Sequence, residues 1–129
     1  MVEVIVSRLG LDSGSNSFVV ILQEKGGDRI LPIWIGHPAA AALLMKLQGA
    51  STPRPMTHDL LSDVLEQLDA KCERVSVTEL RDNTFYASIT VSVNGSEVEI
   101  DSRPSDALAL AVRVSAPIFA AEDVIEESA

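Results

Sequence analysis

The chain has 129 residues, 47% of them hydrophobic, and a formal net charge of −9. That length fits a single domain over residues 1–129, able to bury roughly two-thirds of its unfolded surface, and the hydrophobic share excludes a disordered chain. With 10 Lys and Arg against 19 Asp and Glu, the composition argues against a protein that coats nucleic acid, because generic binding depends on basic residues displacing counterions from phosphates.

Val2 to Leu11 and Phe18 to Gln23 read as β-strands around an Asp12-Ser-Gly-Ser-Asn16 turn, and Gly26-Gly27 leads into a third strand ending at Ile35. Gly36 and Pro38 open a helix from Ala39 to Leu47, apolar on every side except at Lys46 and closed by Gly49. A proline-containing loop then enters a second helix with Thr57 as the expected N-cap. Its residues Leu61, Leu65 and Leu68 form an apolar stripe topped by His58, while Asp59 starts the polar face.

The next segment alternates with a period of two. Val75 and Val77, then Phe85, Ala87, Ile89, Val91 and Val93, share one parity, with turns at Asp82-Asn83 and Asn94-Gly95. Val98 and Ile100 alternate with Glu97, Glu99 and Asp101, which predicts a strand with one wet face. Pro104 fits the first turn of a third helix running through Val114, again apolar nearly all round with only Arg113 charged. A short strand at Ile118 to Ala120 and an acidic tail complete the chain.

The expected fold is α+β, a mixed or antiparallel sheet with three main helices against it. The order of elements hints at two related ββ(β)α halves, although no sequence repeat links them. Helices apolar all round need cover on more than one side, so a homo-oligomer is expected. No apolar run is long enough to span a membrane, and Met1-Val-Glu-Val-Ile lacks the basic start of a signal peptide. Cys72 is the single cysteine and reads as a small packed hydrophobe, so no intramolecular disulfide forms. A bacterial cytoplasmic protein is the simplest expectation.

Asp101-Ser-Arg-Pro-Ser-Asp106 places three charges where a strand hands over to a helix. Such a junction can bind phosphate or a metal at the helix start, or can merely cap the helix. His58-Asp59 offers a general base with a partner, or two metal ligands. However, neighbours on a helix point about 100° apart and cannot easily grip one ion together. Arg54, in the loop before that helix, is a candidate phosphate contact. Arg81 reads as an exposed turn residue, and His37 as either a pocket residue or an exposed helix start. Trp34 and Tyr86 look too scattered to make a base-stacking platform.

Four segments, Leu31-Pro-Ile-Trp-Ile-Gly36, Arg54-Pro-Met-Thr-His-Asp-Leu-Leu61, Asp82-Asn-Thr-Phe-Tyr86 and Asp101-Ser-Arg-Pro-Ser-Asp-Ala107, follow the order and spacing of the bifunctional nuclease (BFN) domain family. The resemblance continues through Ala116-Pro-Ile-Phe119 and covers nearly the whole chain. It implies hydrolysis of phosphodiesters in DNA and RNA as transient substrates. On that basis Asp59, Asp101 and Asp106 would hold a divalent ion, Mg²⁺ or Mn²⁺, with no organic cofactor. Arg103 and Arg54 would contact phosphate, and His58 would move a proton. In the family a glutamate often follows the glycine of the first motif, whereas His37-Pro38 and Ala39 to Ala42 contain no carboxylate. That departure, with the acidic charge, fits a rival expectation of a non-enzymatic interaction or regulatory module. A binder of small anionic ligands at the Arg103 helix end is a third.

Overall fold

Period-two alternation in this chain builds one seven-stranded sheet, and the strand order in it is β3-β2-β1-β7-β4-β5-β6. The computed structural model describes residues 1–12, 14 and 17–128, so the turn expected over Asp12 to Asn16 falls mostly outside the described residues. The strands are β1 (Val2–Asp12), β2 (Ser17–Glu24), β3 (Ile30–Ile35), β4 (Lys71–Arg81), β5 (Thr84–Val93), β6 (Ser96–Ser102) and β7 (Ile118–Ala120). Three-residue β7 lies in the middle, antiparallel to β1 and parallel to β4. The sheet is therefore mixed, and β7 joins two antiparallel three-stranded halves.

Residues paired across a sheet project to the same face. Leu31, Leu22 and Val6 align on one half, and Val4, Ile118, Val75, Ile89 and Ile100 align from β1 to β6. This apolar face carries most of the core. The turns at Asp82-Asn83 and Asn94-Gly95 have positive φ at both central residues, the backbone that tight two-residue hairpins demand.

Helices α1 (His37–Leu47), α2 (Thr57–Gln67) and α3 (Pro104–Val114) form the main helical layer. α3 is central, packed on β4 and β5 and flanked by α1 and α2, so every residue from Ala107 to Ala111 is buried. Its apolar circumference is thus covered inside one chain, which removes half of the argument for a second copy. α1 turns Ala39, Ala40, Ala42 and Leu43 inward and leaves Leu44 and Leu47 exposed. The remaining helix, α4 (Glu122–Ser128), buries Val124 and Ile125 and packs on β3 and β4. Arg29 ties it down by bonding both Glu24 and Glu122.

Three local expectations change. Met56, not Thr57, occupies the N-cap of α2, because the Asp59 carboxylate accepts the Met56 backbone N–H at 3.1 Å and fixes that first turn. The stripe on α2 is only partly used: His58 is buried and Leu65 packs on the core, while Leu61 and Leu68 stay exposed. α2 touches α3 and β4 along a narrow strip, so the outer part of its apolar face finds no cover. Finally, Val98 and Ile100 are exposed although they share the core face, since α3 reaches β4 and β5 and the helical layer stops short of edge strand β6. Among the described residues no helix is long and apolar enough to cross a membrane.

Candidate functional site

The site begins with Pro104. A residue before proline is held in extended backbone, and Arg103 sits there at φ −69°, ψ 145° as the N-cap of α3. One turn on, Asp106 accepts a hydrogen bond from Arg103 Nε at 2.8 Å. Its other carboxylate oxygen lies 3.0 Å from His58 Nε2, contributed by the first turn of α2. Packing of α2 on α3 thus brings together two residues 48 positions apart. Exposure rises along the row: His58 is 8% exposed, the Asp106 side chain 31% and the Arg103 side chain 78%. Burial pushes the Asp106 carboxyl up, but the bonds from Arg103 and His58 outweigh it and hold it below the ordinary range. Asp106 also raises the already high pKa of Arg103. At neutral pH the pair is a fixed carboxylate holding a guanidinium by one edge.

Asp59 belongs to a different constellation. It accepts Arg113 Nε at 2.6 Å, and the bond to Arg113 chiefly lowers its pKa. The Arg113 side chain is only 6% exposed and also donates to the Ala109 carbonyl. Asp59 lines a separate cleft with Lys46, Asp63 and Arg113. His58 and Asp59 therefore diverge as helical geometry requires, one toward each end of the α2–α3 contact. Asp101 pairs with Ser88 on β5 and shares its outer face, opposite the face that packs on α3.

Arg54 lies in the exposed loop before α2, where its carbonyl accepts the Thr52 hydroxyl. His37 begins α1 with its ring edge-on to Phe18 at 4.8 Å, a packing contact. Arg81 stacks over Tyr86 at 4.6 Å, and burial raises the thiol of Cys72. Of the residues singled out from sequence, the structure joins His58, Arg103 and Asp106 and sets Asp59 and Asp101 apart from them.

Among the described residues no group of three His, Cys, Asp or Glu side chains lies close enough to hold a metal. Both oxygens of Asp106 already accept from His58 and Arg103, a neighbourhood that disfavours a cation. The chain's own residues do not fit a resident divalent ion at this point.

What sequence reasoning missed is a cleft of about 340 Å³ beside Arg103, where Trp34, Asn83, Thr84, Phe85 and Ser105 also line the walls. From sequence alone Trp34 and Tyr86 look too scattered to make a base-stacking platform. The parity of Trp34 on β3 carried a signal, because Ile33 and Ile35 on either side take the buried face and Trp34 must point outward.

Comparison with known proteins assigns this architecture. The family model described as the bifunctional nuclease domain matches residues 20–129. An uncharacterized protein of Mycobacterium tuberculosis is 39% identical over 128 residues, covering 99% of this chain and 76% of that protein. Bifunctional nuclease 1 of Oryza sativa subsp. indica is 29% identical over 110 residues, covering 83% of this chain and 33% of that protein. Bifunctional nuclease 2 of Arabidopsis thaliana is 27% identical over 106 residues, covering 80% and 32%. The chain therefore spans about a third of the length of the plant proteins. The chain belongs to the bifunctional nuclease domain family.

Proposed function

We propose that this protein is a nuclease that hydrolyses phosphodiester bonds of DNA and RNA at the His58–Asp106–Arg103 row. The observation that carries this reading is an exposed arginine, fixed by a half-buried carboxylate, at the mouth of a cleft in a chain of the bifunctional nuclease family. Arg103 would bind a non-bridging phosphate oxygen and stabilise the charge that develops as water attacks. Asp106 would orient Arg103 and the attacking water, and it still has lone pairs open to solvent. His58 stands behind Asp106 and acts as a positioning residue and proton partner. Arg54 would join only if its loop moved toward the substrate.

Among the described residues the carboxylates offer Mg²⁺ or Mn²⁺ no shared site, so an ion would come with the substrate's phosphates rather than reside in the protein. Cleavage is expected to persist in EDTA at a reduced rate. Complete loss, restored by Mg²⁺ or Mn²⁺, would show that an ion is required after all.

The protein is further proposed to be a homo-oligomer through its helical layer. Leu44 and Leu47 on α1 and Leu60, Leu61, Val64 and Leu68 on α2 remain exposed, more apolar surface than scattered single residues explain. Leu61→Glu with Leu68→Glu should convert the assembly to monomer in sedimentation, and an already monomeric parent protein would dismiss the idea. A buried free thiol at Cys72 suits a reducing compartment such as the bacterial cytoplasm.

A second reading has its own support. The His58–Asp106 and Asp59–Arg113 contacts both clasp α2 to α3, as they would in a non-enzymatic interaction module. Cleavage assays on purified parent protein and the Arg103→Gln variant separate the two readings.

A further inference from the structure

We infer that the cleft beside Arg103 binds one unpaired nucleotide, with the Trp34 indole as the platform for its base. The meaning of the cleft rests on the nuclease reading above, and the inference adds to it the choice of single-stranded over duplex substrate.

Trp34 leaves 56% of its surface in water, an unusual state for the largest apolar side chain. It stands on β3, an edge strand, opposite Val19 on the outer face. The fold brings to the same cleft Phe85 from the start of β5, the amide of Asn83 from the β4–β5 turn, and Arg103 and Ser105 from the start of α3. Among the described residues none that lines the cleft is a carboxylate, in a chain that carries 19. Among the described residues lining it the only charged one is Arg103, bonded to Asp106 through Nε, with 78% of its side chain exposed. An acid-free cleft with an aromatic wall, a neutral amide and one guanidinium suits a ligand that is flat and apolar at one end and anionic at the other. A nucleotide has that chemistry: its base stacks on the indole, the amide meets a base edge, and the phosphate meets the guanidinium.

Shape sets the strand preference. A cleft of about 340 Å³ is at the small end of ligand sites, room for one nucleotide. A base inside a duplex already stacks on both faces and cannot offer one to Trp34 without being unstacked. Single strands present that face freely, and the net charge of −9 further opposes extended duplex contact.

Trp34 is the single tryptophan of the chain, so its emission reports this cleft directly. The intact protein would be titrated with an end-labelled oligothymidylate of roughly eight nucleotides, with a hairpin duplex and with thymidine monophosphate, following Trp34 emission and label anisotropy together. The expected result is saturable quenching by the oligomer, weakened by salt and by Arg103→Gln, and far weaker quenching by the hairpin. Competition by the monophosphate at high concentration would identify the nucleotide, rather than the strand, as the recognised unit; no competition would place recognition in the strand and overturn the one-nucleotide site. Trp34→Ala should weaken oligomer binding by about 10–100-fold by anisotropy, with Trp34→Phe intermediate. Binding by anisotropy with unchanged Trp34 emission would overturn the inference while leaving the nuclease reading intact. Equal quenching by hairpin would overturn the strand preference, and an emission shift on simple dilution of the protein would show that a second copy covers Trp34. No binding of any nucleic acid, with no cleavage, would instead remove the nuclease reading beneath it.

Discussion

Arg103→Gln should lower kcat/KM for cleavage of single-stranded substrate by about 10²–10³-fold, the usual effect of removing one preorganised donor from a developing oxyanion. The fold should hardly notice. Arg103 has its side chain 78% in solvent, and surface substitutions of that kind stay within about 0.5 kcal/mol. Glutamine keeps a donor near the same place but loses the charge and the fork, so a lysine variant should recover part of the rate and glutamine little. The readouts are initial rates and a thermal melt on the same preparations. An Arg103→Gln protein that cleaves at the parent rate would take the reaction away from this helix start. A variant that loses both rate and melting temperature would show that Arg103 supports the fold rather than the reaction.

Much of the architecture could be read from the sequence because alternation is a local property. The hairpins around Asp82-Asn83 and Asn94-Gly95 follow from residues that tolerate positive φ. Pro104 predicts the helix start, and α3 begins there. Helix surroundings are not local. The apolar circumference of α3 says that it needs cover on several sides, but not that α1, α2 and the sheet supply it. In the same way, the stripe on α2 has the right period, yet Leu61 and Leu68 stay exposed because only a narrow strip of that helix meets α3 and β4.

The candidate site divides along the same line. That His58 and Asp59 cannot easily grip one ion together follows from helical geometry, and the structure sends them to Asp106 and Arg113 respectively. Which aspartate of α3's approach would meet His58 was not legible. Strand parity puts Asp101 on the outer face, and Asp106 is reached only through the docking of α2. The cleft was less legible still, since Trp34, Asn83 and Arg103 come from three distant segments that meet only in the folded sheet.

Removing the carboxylate at Asp106 should have the second large effect, and its pH dependence separates a charge from a contact. In Asp106→Ala, the imidazole of His58, 8% exposed, loses its partner, and the expected destabilisation is about 2 kcal/mol, or about 7 °C in melting temperature. Asp106→Asn keeps an acceptor and should lose about half as much, while cleavage falls at least as far as in Arg103→Gln. The Asp106 pKa is lowered on folding relative to 3.8, so in the folded state the carboxyl binds its proton less readily than in the unfolded chain. Its contribution is therefore complete above the unfolded value and is lost as pH falls through the lower folded value. The stability gap between parent and Asp106→Asn should be constant near neutrality and close below about pH 4. Urea melts of both proteins across that range measure it. A gap that persists unchanged at the acid end would mean that Asp106 acts through shape and neutral hydrogen bonds, leaving Arg103 without the fixed negative partner on which its proposed role depends.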